Sequence, residues 1–178
     1  MKKLITIFVC VFVFSNFVVA QENAKNEISF KCGMFPILEY GFSLMSVNVP
    51  QEEMEHISLP TFSVEYLRYL NSKNALGFSV SYGCPVINVS KNPALVTSYF
   101  ALQGKYRFVY LNKENIKLYG EVGLGADLFL SDSDVFPFFA GQLSPIGISF
   151  GSDKFFGNAE IGIGTEGSIL LLGCGFRF

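Results

Sequence analysis

The chain has 178 residues, half of them apolar, with 20 Phe, 8 Tyr, 17 Gly, no Trp and only 16% charged side chains. That apolar share excludes a disordered chain, and the charged share lies well below the ~25% usual for a water-soluble globule. Past residue 20, eleven basic side chains stand against fifteen acidic ones, a net charge of −4 that leaves no basic stripe for nucleic acid.

The first element is an export signal. Lys2 and Lys3 precede the apolar run Leu4 to Phe14, and Val18 and Ala20 form a small-residue cleavage site before the polar Gln21. The run is far shorter than the ~20 residues a helix needs to cross a bilayer. Residues 1–20 therefore read as a cleaved signal peptide and 21–178 as one domain. Cys10 follows the bulky Phe8 and Val9 inside the run, which does not suit lipidation. Beyond residue 20 every apolar run is soon broken by Gly, Ser, Lys or Glu. Only helices and closed barrels satisfy every backbone N–H and C=O inside lipid, so an apolar exported chain without a helical span points to a barrel.

The strands follow in order. Residues 27–46 form a first strand interrupted by Pro36, which makes 37–46 strand, outside extension or loop. The connection 47–58 is acidic, and 59–70 is the second strand. In 75–84, Leu76, Phe78, Val80 and Tyr82 alternate with Gly77, Ser79, Ser81 and Gly83. After a connection at 85–94, strand 95–111 places Phe100, Leu102, Tyr106 and Phe108 opposite Tyr99, Gln103, Lys105 and Arg107. In 115–130, Leu118, Val122, Leu124 and Leu128 alternate with Lys117, Glu121 and Asp127. Strands at 144–150, 154–164 and 168–178 complete eight. This is the period of two expected of strands with one apolar and one polar face.

Polar links at 71–74, 112–115 and 151–154 are short, whereas those at 47–58, 85–94 and 131–143 are longer. Short turns on one side and long loops on the other are the pattern of bacterial outer-membrane barrels, and the order puts both termini on the periplasmic side. The link Thr165-Glu166-Gly167 is short for an outside loop. The last strand ends Leu170, Leu172, Cys174, Phe176 and Phe178 on one face.

With that terminal aromatic, with Gly104-Lys105-Tyr106-Arg107-Phe108, and with Tyr119 to Gly125 as the paired strand, the chain resembles the small outer-membrane β-barrels of the OmpA/OmpX/OmpW type. The resemblance covers the whole mature chain. It implies an all-β, eight-stranded antiparallel transmembrane barrel in an outer membrane, without a periplasmic domain. Phe176 and Phe178 are then the signal read by the barrel-assembly machinery, and outer-membrane lipids and lipopolysaccharide are the surroundings. The chain departs from the usual aromatic girdle in having no Trp, so Tyr and Phe must serve.

Strand parity sends Lys31, Glu65, Lys105, Arg107, Lys117, Glu121, Asp127, Glu160 and Arg177 to the lumen, five cations against four anions. An eight-stranded barrel has room only for side chains inside, so opposite charges there are expected to pair and plug it. Glycines at 77, 83, 123, 125, 162, 164, 173 and 175 make room for bulky inward groups such as Tyr119 and Phe156. The alternative is a narrow channel or a path for a small or apolar ligand. A soluble exported barrel of lipocalin type, apolar inside and polar outside, is also compatible with alternation alone.

Chemistry leaves few marks. The one histidine, His56, lies two residues before Ser58 among Glu52, Glu53 and Glu55. A His-x-Ser pair plus an acid serves the lipid A deacylases, but here it falls in an acidic outside loop, and a solvated loop is the better reading. Those glutamates lack the spacing of a calcium loop, and no cysteine pattern suggests zinc. We expect no catalytic residues, no metal and no cofactor, with an unknown loop-binding partner as the open functional question. The mature chain keeps Cys32, Cys84 and Cys174, an odd count in an oxidising compartment. Cys32 and Cys174 fall on strands that meet at closure, where a disulfide is conceivable but small hydrophobic packing is the better reading.

Overall fold

The computed structural model describes residues 26–34, 54–57, 60–83, 86–89, 92–96, 98–113, 115–131, 134–152, 154–167 and 169–178. For 54–57, 86–89, 92–96, 129, 131 and 134–136 it describes the backbone alone. The expected signal peptide 1–20, Pro36, Ser58 and Cys84 lie outside these residues.

Eight strands close into an antiparallel barrel: β1 (Asn26–Gly33), β3 (Thr61–Tyr69), β4 (Asn74–Gly83), β7 (Ser98–Lys113), β8 (Ile116–Ser131), β9 (Asp134–Gly151), β10 (Phe155–Gly164) and β11 (Leu171–Arg177). Each pairs with the next, and β1 closes the ring on β11 with Phe30 opposite Cys174. Asn26 and Phe178 exchange both backbone hydrogen bonds, at 2.7 and 2.9 Å, and so fasten the two ends of the chain together.

The end carrying both termini is made of tight links, here called the terminal end. Asn71 Oδ1 accepts from the backbone N–H groups of Lys73 and Asn74, each at 2.9 Å, and Ser152 Oγ accepts from those of Lys154 and Phe155. Side chains that bond their own backbone a few residues on are what favour such turns. The opposite, loop end carries the longer connections.

Three sequence expectations change. The first strand ends at Gly33, and residues 35–46 of the stretch expected to 46 lie outside the described residues. The connections at 47–58 and 85–94 are not plain loops. They contain β2 (Met54–Ile57) and β5 (Val86–Val89), which with β6 (Asn92–Val96) form a second, three-stranded sheet in the order β2-β5-β6. The stretch expected as 95–111 is thus divided between β6 and β7.

The largest correction concerns 131–143, expected as a loop, because β9 begins at Asp134. β9 contains Pro137 and Pro145, and proline cannot donate to a ladder. Among the described residues, however, 134–140 pair only with β8, so this part of β9 is an edge on its other side. Pro145 falls at a bulge, where the register moves from Tyr119↔Gly147 to Glu121↔Ser144. Both are places where proline is tolerated.

Candidate functional site

The interior is built by alternation. Odd-numbered residues of β1, β3, β7 and β8 point inward, and the side chains of Glu65, Lys105 and Arg107 are buried there. Even-numbered neighbours point outward, so that Leu102 is 59% exposed while Arg107 on the same strand is 1% exposed. Phe30, Phe62, Leu124, Ile146 and Phe155 share that exposed face. This is the inverse of a water-soluble barrel, and it removes the lipocalin-type alternative.

At the terminal end Glu27 gathers three cations. Arg177 Nε donates to it at 2.7 Å, Lys117 Nζ at 3.1 Å and Arg107 Nη1 at 3.2 Å, with the Tyr69 hydroxyl also donating at 3.2 Å. Arg177 also donates to Ser149 Oγ at 2.7 Å and to the Ser152 carbonyl at 2.9 Å, and its guanidinium lies 4.4 Å from the centre of the Phe156 ring. The Lys117 ammonium sits 4.3 Å from that of Tyr69.

Arg107 dominates the centre. It donates to Glu65 Oε1 and Glu121 Oε2, each at 2.8 Å, and stacks 4.0 Å above the Tyr119 ring. Lys31 Nζ meets Glu160 at 2.7 Å, Glu65 at 2.8 Å and Glu121 at 3.2 Å. Tyr119 donates its hydroxyl to Glu160 Oε1 at 2.9 Å. The ring of Tyr119 fits because residue 147 is glycine: a Cβ there would lie 2.4 Å from it. Gly175 makes the same room for Phe156, whose ring would stand 2.6 Å from such a Cβ.

Toward the loop end Lys105 bridges Glu121 at 3.4 Å and Glu166 at 2.7 Å. Glu166 also accepts from Ser81 at 3.1 Å and from Ser79. Glu166 belongs to the β10–β11 link, which folds into the barrel mouth instead of standing outside it. There Thr165 accepts from Tyr99 through its carbonyl at 2.9 Å and from Gln103 through its hydroxyl, while Gln142 donates to the Gly167 carbonyl at 3.0 Å.

Of the nine residues expected in the lumen, eight meet in one network: Lys31, Glu65, Lys105, Arg107, Lys117, Glu121, Glu160 and Arg177. Asp127 does not join it. It is fully buried, and neither of its carboxylate oxygens has a hydrogen-bond partner among the described residues. Asn158 and Glu160 Oε2 are likewise unpartnered inside the wall. Two network members were missed. Glu27 shares the parity of Lys31 and was available to the alternation test, whereas Glu166 lies in a link with no period to read. With both included, the network holds five cations and five carboxylates, and Asp127 outside it is a sixth among the described residues.

Phe176 and Phe178 lie on the outer face, with Phe176 packed edge-on against Phe155 at 4.8 Å between ring centres. His56 lies in β2 opposite Ile87, and its intended partner Ser58 is outside the described residues. Cys32 and Cys174 are free thiols. Their strands are neighbours, but Cys32 pairs with Leu172 and Cys174 with Phe30, which offsets the two thiols by two residues and accounts for the missing bond. Among the described residues no group of three or more His, Cys, Asp or Glu side chains could hold a metal ion.

No protein-family model and no curated protein matches the sequence. Solved structures do match the fold. Ail, the attachment invasion locus protein of Yersinia pestis, in complex with the heparin analogue sucrose octasulfate, aligns at a TM-score of 0.50 and 16% identity over 88% of this chain and 99% of that one. The N-terminal β-barrel domain of Pseudomonas aeruginosa OprF aligns at a TM-score of 0.48 and 15% identity over 88% of this chain and 100% of that one. The fold is that of a small eight-stranded outer-membrane β-barrel.

Proposed function

We propose that this chain is an integral outer-membrane protein, delivered by cleavage near Ala20, that supports the envelope through its barrel and meets partners through its outer loops. One observation carries the reading: the wall is apolar outside and ionic inside. In water that arrangement would leave many large apolar side chains exposed, at roughly 25 cal/mol for each Å² of apolar surface. In a bilayer the same face contacts lipid tails while the eight barrel strands close into a ring. The test is electrophoresis of the separated outer-membrane fraction with and without boiling. A band that stays folded in cold SDS and shifts on boiling is the expected result, and an unshifted chain in the soluble periplasm would overturn the reading.

The interior supports a plug over a pore, since Arg107 and Lys31 tie β1, β3, β7, β8 and β10 together across the lumen. The unpartnered Asp127 and Asn158 favour the second reading, a narrow path wet enough to satisfy them. Planar-bilayer conductance separates the two: silence supports the plug, and steady ionic current the path. Phe176 and Phe178 fit a recognition signal for the assembly machinery, and removal of Phe178 should lower the inserted fraction. Ail is recorded with a sulfated, polyanionic sugar analogue, but a mature net charge of −4 makes a polyanion a poor partner for this chain. Lipopolysaccharide contact through the apolar wall, and a loop partner that is not strongly acidic, suit it better. The role is taken as non-enzymatic, and unaltered lipid A from cells expressing His56→Ala and Ser58→Ala would agree with that.

A further inference from the structure

The outer wall is not uniformly convex. In the loop-end half, across β1, β3, β4 and β7, a recess of about 290 Å³ is lined by Phe30, Phe62, Val64, Val80, Tyr82 and Phe100. Strand register explains it. Phe62, Tyr82 and Phe100 are successive cross-strand partners and form one rim, with the Tyr82 and Phe100 rings 4.9 Å apart. Four residues along β3 and β4 from Phe62 and Tyr82, beyond the lining of the recess, Tyr66 and Phe78 pair with their rings 5.6 Å apart. Next to the rim the cross-strand row is Phe30, Val64, Val80 and Leu102, so two valines make a low floor beside it.

The recess is dry. Lys31, Ser63 and Ser81 also line it, but their side chains are buried on the lumen side, where Lys31 holds Glu65 and Ser81 holds Glu166. What they show outward is main chain already used in the ladders. An apolar hollow with no polar partner does not hold water.

We propose that this recess is a seat for one acyl chain of an outer-leaflet lipid, held against the barrel longer than the lipid around it. The proposal rests on the outer-membrane reading above. The recess is continuous with the lipid-facing band, which fixes the chemistry of its occupant as hydrocarbon. A second copy of the barrel would present a rigid wall that meets the aromatic rim first, whereas a flexible methylene chain can follow the floor beside it.

The absence of Trp makes the test direct. Phe100→Trp places a single reporter on the rim, and the mature chain is reconstituted in phosphatidylcholine vesicles with rising fractions of brominated-chain phosphatidylcholine. Quenching is expected at a lower brominated fraction than in the same reporter combined with Val80→Phe, which fills the floor at unchanged depth. Val64→Leu serves as a second filling variant, and the heat-dependent gel shift shows which variants are folded. Superimposable curves with and without the filling substitution would overturn the seat while leaving the membrane reading intact. Quenching that weakens as the protein-to-lipid ratio rises would assign the recess to a second copy and also overturn it. No quenching at any brominated fraction would defeat the outer-membrane reading itself.

Discussion

At the terminal end and centre of the barrel, Glu27, Arg107 and Glu121 each meet several opposite charges, from strands far apart in sequence. At the loop end the pattern changes: Thr165 and Gly167 are held by Tyr99, Gln103 and Gln142, and Asp127 on the wall has no hydrogen-bond partner among the described residues. The first region is redundant in charge, so that no single lysine bears a carboxylate alone. The second depends on main-chain atoms and on the Thr165 and Glu166 side chains of an inserted turn, and tolerates an unpaired acid. Arg107 is the exception to the redundancy of the first, since it alone reaches Glu27, Glu65 and Glu121, so its removal does most harm, and the loop end is where change is cheapest.

The sharpest break of this contrast is Arg107→Met. It keeps much of the side-chain length but leaves Glu65 and Glu121 with one charge fewer in a buried site, and removing one partner of a buried pair costs about 3–5 kcal/mol. Urea unfolding of the vesicle-embedded chain should show that loss, and cold SDS should no longer preserve the folded band. Arg107→Lys should recover only part of it, because a single ammonium cannot serve Glu27, Glu65 and Glu121 in the fork that a guanidinium provides. Stability equal to the unmodified chain in Arg107→Met would show that the ion pairs merely fill space.

A smaller effect is expected from Gly147→Val. The branched side chain would run into the Tyr119 ring and displace it from Arg107 and Glu160. Overpacking of this kind costs roughly 1–3 kcal/mol. The same substitution at Gly141, where an outward Cβ meets only the edge of the Phe139 ring at 3.1 Å, should cost less. Equal losses at the two positions would remove the close fit of Tyr119 from the account.

The unequal legibility of the two regions has a physical origin. Lys105, Arg107, Lys117 and Glu121 lie on β7 and β8, each 16 residues long, where a period of two has room to repeat. Glu27 follows the same parity on β1 and was readable by the same rule. Glu166 was not, because a link carries no period and its inward fold is decided by Ser79, Ser81 and Lys105 on other strands. The strands β2, β5 and β6, of four or five residues, are too short for alternation to be tested. In β9, residues 134–140 pair on one side only, and that edge position depends on where β10 ends, a tertiary fact. The pairing of the lumen charges followed from the size of an eight-stranded barrel, whereas their grouping around Arg107 depended on stagger between strands that no local sequence encodes.

The loop end should also contain substitutions that stabilise. Ile169, in the β10–β11 link, has φ of 73°, a left-handed conformation that β-branched residues strongly disfavour. Its side chain is exposed, so little packing opposes a change. Ile169→Asn, which accepts that backbone more readily, should raise stability by about 1 kcal/mol. The readout is the temperature at which the cold-SDS band disappears, and a lower temperature would mean that the isoleucine contributes more through lipid or loop contact than its backbone costs.

The least disruptive change of all is expected at Asp127. No cation touches its carboxylate, and the ionised group that acts on it is Glu166, of the same sign. Among the described residues the interior holds six carboxylates for five cations, and Asp127 is the one whose charge, when ionised, no cation balances. Asp127→Asn removes that charge without changing the volume, and replacing a buried group that lacks a partner is near neutral or favourable, in contrast to breaking a satisfied pair. Unfolding in urea should shift little or toward higher stability, opposite in sign to Arg107→Met. Were Asp127→Asn instead as damaging as Arg107→Met, a positive group would have to sit on Asp127 in the membrane, and the loop end would be as dependent on charge as the centre.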